Sequence, residues 1–258
     1  MWAEGGTSDG TEGVVLGVGN LLQASVDPTV YDSTTGKYVV DSPGLREAFD
    51  FIHQMTVHGL NAPVSQLFDP NATGNANGEM KTDNIAIGLA SNYWGASWLK
   101  NKAPDWQAAA TTIGVAPLPT SQGQGPGSAT LISGLQQGIY AKAPNPSLAF
   151  QLLDFMNQKA SMLKAANDIE LVPPVTAYAS DPTYVNFGAP FQAEFAKYLS
   201  VGQSWPLRGD FTAWSVGFQQ ATGALIQHSG TTVDQAINIL KSATNEQLGS
   251  GHTETRTS

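Results

Sequence analysis

Amphipathic helices and short apolar runs alternate along the chain and define its predicted elements. The clearest helix begins at Ser42-Pro43, where a capping side chain precedes a proline suited to the first helical turn, and it ends at Gly59. A second helix begins at Asn145-Pro146, and a third follows the capping box of Thr232 and Gln235. The short apolar runs between helices are typical of buried strands. Together these signals predict an α/β fold.

The segment from Ile113 to Phe155 has the most informative pattern. Apolar residues 113–116 predict a strand that Pro117 and Pro119 end, because proline cannot donate to a central ladder. Residues 120–128 predict a Gly-rich surface loop, and residues 138–143 predict a second strand. The helix that follows is expected to bury one apolar stripe, formed by Leu148, Leu152, Phe155 and Met156. Such α/β units commonly carry ligand sites.

Two further strand signals flank the first helix. Residues 31–40 predict a hairpin that turns at Thr35-Gly36. Residues 84–90 predict a buried strand that leads into the polar and aromatic cluster Asn92-Tyr93-Trp94. The polar C-terminal residues 249–258 are expected to form a disordered tail.

Composition excludes several classes of partner and chemistry. The 258 residues include 12 Lys and Arg against 21 Asp and Glu, a net charge of −9, with no basic run. Nucleic acids and anionic membranes bind clustered cations, so neither is an expected partner. The chain has no cysteine, which excludes disulfides and thiol nucleophiles. It has no apolar run of the length that a membrane span needs.

Signals for catalysis, cofactors and metals are missing from the sequence. His53 and His58 are five residues apart, which does not put two metal ligands on one helix face. There is no phosphate-binding loop followed by Lys and Ser or Thr, and no GxSxG nucleophile motif. We therefore expect no catalytic residue, no metal site and no cofactor.

Tryptophan residues are the strongest candidates for a binding site. Trp94, Trp205 and Trp214 fall in irregular segments at the ends of predicted elements, where side chains can face a cleft. An indole offers a flat apolar face for a sugar ring, and sugar hydroxyls need polar partners. Polar residues near these tryptophans can supply such partners: Asn92, Tyr93, Ser133, Arg208 and Asp210. The alternative is that the tryptophans fill the core.

The order of these segments resembles a known family. The motifs are GKYVVDSPGLREAFDFIHQMTVHGL, IAIGLASNYW, IGVAPLPT followed by ISGLQQGIYAKAPNPSLAFQLLDF, and LVPPVTAY. In this order they are similar to the carbohydrate-type (family 1), maltose-binding-protein-like extracellular solute-binding proteins of bacterial ABC importers. The resemblance extends from about Asp27 to Leu248.

The resemblance implies a periplasmic-binding-protein-like (type II) fold, in which two α/β lobes joined by hinge strands close on a sugar or oligosaccharide. It implies that Trp94 and Trp214 stack on the ligand, that Ser133-Gly134 approaches it from the other lobe, and that Arg208 and Asp210 add polar contacts. It also implies permease subunits as protein partners, no enzymatic activity, and an extracellular or periplasmic location, although this chain has no signal segment.

The resemblance also implies how the chain divides into lobes. Residues 1–112 and 173–248 would form the second, C-terminal lobe, and residues 113–172 would form a part of the first lobe with the hinge. The N-terminal part of the first lobe would then be absent. An incomplete lobe is expected to expose apolar faces and sheet edges.

Other functions remain open at the level of sequence. The chain could be a secreted carbohydrate-active enzyme with a carboxylate pair. It could also be a sensing or partner-binding module with the same fold. Within the binding class, the ligand could be a phosphodiester or a polyamine instead of a sugar. The single Arg208 and the negative net charge disfavour an anionic ligand.

Overall fold

The computed structural model describes residues 2–3, 17–69, 71–89, 92, 106, 108–134, 137–169, 171–186 and 191–257. The strands are β1 (Trp2–Ala3), β2 (Tyr31–Asp32), β3 (Lys37–Asp41), β4 (Gly88–Leu89), β5 (Leu118–Pro119), β6 (Ser128–Leu131), β7 (Gly202–Gln203) and β8 (Thr253–Thr255). The helices are α1 (Gly19–Gln23), α2 (Pro43–Val57), α3 (Val64–Leu67), α4 (Ala72–Lys81), α5 (Ala109–Thr112), α6 (Pro146–Asn157), α7 (Lys159–Ile169), α8 (Thr176–Ala179), α9 (Pro182–Val185), α10 (Phe191–Tyr198), α11 (Phe211–Gln227) and α12 (Val233–Leu248).

The chain forms two compact units. The larger unit consists of Met1–Ala90, Pro117–Ile132 and Val201–Ser258, and the smaller unit of Ser91–Ala116 and Ser133–Ser200. All the described strands lie in the larger unit, in three small sheets of order β1-β4, β2-β3-β8 and β5-β6-β7. The described part of the smaller unit is helical. The lobe boundaries implied by the family resemblance stay a prediction.

Three helices build the core of the larger unit. The two long helices α11 and α12 pack against each other and against α2. At Gly217 the backbones come so close that an added Cβ would lie 3.0 Å from the Leu240 carbonyl oxygen. Leu45, Ala48, Phe49 and Ile52 of α2 are buried, and Phe49 contacts Phe218 with ring centroids 5.4 Å apart. Burial of these apolar faces drives the packing of this unit.

The predicted helix starts are confirmed. Ser42 caps α2 by accepting a hydrogen bond from the Leu45 N–H at 3.2 Å, and Asn145 caps α6 by accepting from the Leu148 N–H at 3.0 Å. The capping box between Thr232 and Gln235 is present at the start of α12. These side chains satisfy N–H groups that the first helical turn leaves unpaired.

The hairpin of β2 and β3 is confirmed. Its strands are antiparallel, with Tyr31 opposite Tyr38, and Gly36 adopts a φ of 71° in the turn. This left-handed conformation favours glycine. The hairpin brings the two tyrosine rings to 5.1 Å, edge to face.

The predicted positions of the two strands around the Gly-rich loop are wrong. Residues 113–116 form no strand; the strand is β5, which contains Pro119. Proline is tolerated because β5 is an edge strand of only two residues. Residues 138–143 form no strand either, and Ser128–Leu131 pairs with β5 and β7 instead. Of the run at 84–90, only Gly88–Leu89 is a strand, and residue 90 lies outside the described residues.

The apolar stripe of α6 is exposed, not buried as predicted. Leu148, Leu152, Phe155 and Met156 are 40–60% exposed, and α6 has no buried residue. The core of the smaller unit lies elsewhere, around Tyr184 and the Leu163 and Ala166 side chains of α7. The predicted helix is present, but no described element covers its apolar face.

Residues 249–257 are ordered, contrary to the predicted disorder of residues 249–258, of which residue 258 lies outside the described residues. Thr253–Thr255 forms β8, which runs parallel to β3 in the central sheet. Beyond it, the Arg256 N–H donates to the Asp41 carbonyl oxygen at 2.8 Å, and its guanidinium lies 3.4 Å from the Asp27 carboxylate. Backbone pairing with β3 explains why a polar sequence is ordered here.

Deletion of residues 253–257 tests the role of β8. Each lost backbone hydrogen bond costs about 1 kcal/mol, so we expect the free energy of unfolding to fall by about 2 to 3 kcal/mol. Urea denaturation measures this change. Arg256→Ala, which removes only the ion pair with Asp27, should cost less than about 1 kcal/mol. An unchanged urea midpoint in the truncated chain would contradict the assignment of β8.

Candidate ligand-binding site

Four aromatic rings of the larger unit form a continuous stack. Phe211, Trp214 and Phe218 recur at a spacing of three and four residues and share one face of α11. Trp214 stacks on Phe218 with centroids 5.0 Å apart and on Phe211 at 5.9 Å. Trp205, which precedes the helix, extends the stack at 6.1 Å from both Phe211 and Trp214. We call these four residues the aromatic stack.

Trp214 is a core residue of this stack. It is 0% exposed, and its indole N–H donates to the Val39 carbonyl oxygen of β3 at 2.8 Å. It therefore offers no ring face to a ligand in this structure, contrary to the stacking role implied by the family resemblance. The sequence predicts Trp214 in an irregular segment at the end of an element, whereas it lies within α11, where its spacing with Phe211 and Phe218 turns it inward.

Trp205 lies at the other end of the stack and lines a cavity of about 500 Å³. The residue is 7% exposed, and its indole N–H has no hydrogen-bond partner in the described part of the chain. The cavity is lined, besides Trp205, by Gln23, Pro28, Thr29, Val30, Tyr31, Gln203, Ser204, Pro206 and Leu207. Its volume is in the range of small-molecule binding sites.

Gln23 is a cavity residue that sequence reasoning missed. It is the last residue of α1, it is buried, and its Oε1 atom has no hydrogen-bond partner among the described residues. No motif marks this glutamine, because its importance depends on the distant segment 203–207 across the cavity. Only the folded structure brings it to the same cavity as Trp205.

Arg208 and Asp210 form an ion pair beside this cavity. The Arg208 Nε atom donates to Asp210 Oδ1 at 2.9 Å, and a terminal nitrogen donates to Oδ2 at 2.9 Å. The Tyr38 hydroxyl donates to the same Oδ1 at 2.7 Å, and the guanidinium lies 4.2 Å above the Tyr31 ring. The two charges are thus paired with each other, and the guanidinium also holds the ring of the cavity residue Tyr31.

This pairing shifts the protonation equilibria of the groups involved. The hydrogen bonds from Arg208 and then Tyr38 lower the pKa of Asp210 to about 2, because both donors stabilise the carboxylate. The bond to Asp210 raises the pKa of Arg208. Burial, followed by the bond to Asp210, raises the pKa of the Tyr38 hydroxyl. The ion pair therefore persists throughout the neutral range.

Of the remaining predicted site residues, the described ones, Asn92, Ser133 and Gly134, do not line this cavity. Tyr93 and Trp94 fall outside the described residues. Asn92 belongs to the smaller unit and is partly buried. Ser133 and Gly134 are exposed and also belong to the smaller unit. The structure thus brings together Trp205, Arg208, Asp210 and Trp214, with Trp214 in the core.

A second cavity, of about 490 Å³, lies between α3 and α4. Its polar side chains bond to one another: Glu79 accepts from the Gln66 side chain at 3.2 Å and from the Asn84 side chain at 2.7 Å. It offers no aromatic ring, and we regard it as the weaker candidate. Within the described ranges no three His, Asp or Glu side chains group as a metal site would require. None of the helices described is long and apolar enough to span a membrane.

Comparison with solved structures shows that the protein has a periplasmic-binding-protein-like α/β fold. The chain is similar in structure to maltose-bound MalE3 of T. maritima. The match covers 94% of this chain, with a TM-score of 0.71 and 23% sequence identity. It is similar to the sugar-binding protein MalE of Xanthomonas citri, with 88% of this chain covered, a TM-score of 0.71 and 17% identity. A third match is the cyclic alpha-maltosyl-1,6-maltose binding protein of Arthrobacter globiformis, with 93% covered, a TM-score of 0.69 and 15% identity.

The family follows from the sequence match. Residues 17–191 match the family described as bacterial extracellular solute-binding protein, and the chain belongs to that family. No curated protein matches the chain at a significant level. The chain spans 59%, 54% and 57% of the lengths of the three solved structures above.

Asp210→Asn tests the ion pair beside the cavity. The folded-state pKa of Asp210, about 2, lies below the ordinary value of 3.8, so its stabilisation is present above pH 3.8 and is lost as the pH falls towards 2. We expect the variant to melt at a lower temperature than the parent at neutral pH, and this difference to shrink through that window. Melting temperature measured against pH checks this.

Tyr38→Phe is the matched control for this experiment. It removes the hydroxyl that bonds to Asp210 but keeps the ion pair with Arg208, which is the larger cause of the pKa shift. The control should therefore keep most of the acid dependence of the parent. A difference between Asp210→Asn and parent that stays constant down to pH 2 would contradict the assignment.

Proposed function

We propose that this protein captures a sugar or oligosaccharide outside the cytoplasmic membrane and presents it to the permease subunits of an ABC importer. The observation that carries the proposal is the position of Trp205, a residue that lines a cavity of about 500 Å³ in a member of the extracellular solute-binding family. An indole face suits the C–H surface of a sugar ring. Matches to maltose- and maltodextrin-binding proteins support this ligand class.

The rest of the cavity supports a ligand with both apolar and polar surfaces. Pro206 and Leu207 adjoin Trp205, and Leu207 is 84% exposed. Thr29 and Ser204 offer hydroxyls that donate and accept hydrogen bonds. This mixture is typical of sites in which apolar surface supplies affinity and a few polar groups fix orientation.

The proposed mechanism is capture followed by closure of two lobes. The lobes are those implied by the family resemblance: residues 1–112 and 173–248 in one, and residues 113–172 in the other. Trp94, Tyr93 and Asn92, with Ser133 and Gly134, are proposed as further contacts. A ligand that binds the closed form more tightly shifts the protein towards it, and that form would dock on the permease.

Trp205→Ala should weaken sugar binding. We expect a loss of about 1 to 3 kcal/mol of binding free energy, the range known for bases stacked on aromatic side chains. Calorimetry with maltose and maltotetraose measures the affinity. Phe155→Ala, which removes an exposed ring of α6 in the smaller unit, is the control and should leave it unchanged. Equal affinities in parent and Trp205→Ala would remove this cavity from the binding site.

Trp94→Ala tests the contact implied by the family resemblance. If this ring stacks on the sugar, the variant should lose affinity by a similar amount while its circular dichroism spectrum and melting temperature stay close to those of the parent. The same calorimetry applies. Sustained release of glucose from maltotetraose by the purified parent would instead favour the carbohydrate-active enzyme and contradict the binding function.

A further inference from the structure

The cavity lined by Trp205 takes its walls from two separate runs of the chain. Gln23 and residues 28–31 contribute one side, and residues 203–207 contribute the other. We call residues 23–31 the first wall and residues 203–207 the second wall. Both walls belong to the larger unit. The shape of the cavity therefore depends on the contacts that hold these two runs at a fixed spacing.

The hairpin of β5 and β6 contacts both walls. Its second strand pairs in parallel with β7, where Leu131 lies opposite Gln203, and the Ile132 N–H donates to the Gln203 carbonyl oxygen at 2.7 Å. The Gly-rich loop of the same hairpin reaches the first wall, because the Ser121 N–H donates to the Ala24 carbonyl oxygen at 2.9 Å. One hairpin is thus bonded through its backbone to both walls of the cavity.

Gln124 is a loop side chain that bonds to the first wall. Its Nε2 atom donates to the Ser25 carbonyl oxygen at 2.9 Å, and its Oε1 atom accepts from the Gln122 N–H at 2.9 Å. The Thr120 hydroxyl donates to the Gln124 backbone oxygen at 2.8 Å. Gln124 is partly buried, whereas its neighbours on either side in the loop are exposed. Both ends of this amide therefore hold the loop and the wall together.

Two contacts from other elements also anchor the first wall. The Val26 N–H donates to the Glu47 carboxylate of α2 at 2.8 Å, and the Asp27 carboxylate lies 3.4 Å from the Arg256 guanidinium. These contacts hold residues 26 and 27 whether or not the loop is attached. Loss of the Gln124 contact should therefore loosen the wall without unfolding the unit.

We propose that Gln124 is a positioning residue for ligand binding, which sets the spacing of the two cavity walls through the hairpin of β5 and β6. Gln124 does not itself line the cavity. It acts on affinity because a wall that is already ordered does not have to be ordered by the ligand. This inference deepens the proposed function and rests on it.

Two substitutions separate the donor of this side chain from its packing. Gln124→Met keeps the length of the side chain and removes both of its bonds. Gln124→Glu keeps the acceptor for Gln122 but replaces the donor by a carboxylate that faces the Ser25 carbonyl oxygen. The matched control is Gln122→Met in the same loop, because the exposed Gln122 side chain bonds to Glu47 of α2 instead of the first wall.

Hydrogen exchange of the ligand-free protein measures the order of the first wall. We expect peptides that cover residues 24–31 to exchange about tenfold faster in both Gln124 variants, which corresponds to the loss of about one hydrogen bond. The same peptides should exchange at the parent rate in Gln122→Met. Unchanged exchange of residues 24–31 in the Gln124 variants overturns the inference, whether or not a sugar binds.

Calorimetry shows whether the order of the wall matters for the ligand. At a temperature where every variant is fully folded, we expect maltotetraose to bind the two Gln124 variants about three- to tenfold more weakly than the parent or Gln122→Met. A purely structural contact would lower the melting temperature without changing this affinity. Equal affinities therefore overturn the inference while the proposed function stands. If the parent binds neither maltose nor maltotetraose, the proposed function fails and the inference fails with it.

Discussion

The hydrogen bond from the Trp214 indole to the Val39 carbonyl fixes the organisation of the larger unit. It ties helix α11 to the central strand β3 at a buried position, where an unpaired donor would be destabilising. The same ring orders Phe211 and Phe218 and supports Trp205 at the cavity. The Trp205 side chain at the cavity is thus packed against a core indole, and this stack stiffens that part of the cavity wall.

Electrostatic pairing keeps the cavity neutral in a chain of strong negative charge. The net charge is −9, yet Arg208 and Asp210, beside the cavity, are bonded to each other. The hairpin makes this possible because Tyr31 and Tyr38 are cross-strand partners, one beneath the guanidinium and one bonded to the carboxylate. A neutral wall next to paired charges suits a ligand recognised by hydroxyls and ring faces.

Local sequence signals predicted where the helices begin. The positions of several strands were not predicted correctly, because they depend on pairing with residues distant in sequence. Helix starts depend on adjacent residues such as Ser42, Asn145 and Thr232, so they could be located. The eight described strands have only two to five residues each, and several are defined by distant partners, as β8 is by β3. Within the site, Trp205 was predicted from its irregular segment, whereas Gln23 was missed because nothing local marks it. Trp214 was predicted to stack on a ligand, but its helical spacing with Phe211 and Phe218 places it in the core.

The C-terminal strand gives the larger unit a particular order of assembly. Asp27, two residues before the cavity residue Thr29, is paired with Arg256, which is 229 residues further along the chain. On a ribosome, β3 and the segment around Asp27 would emerge long before the strand that completes their sheet. The sheet edge that β8 covers would therefore stay open during most of synthesis. The ion pair between Asp27 and Arg256 can likewise form only after residue 256 has been synthesised.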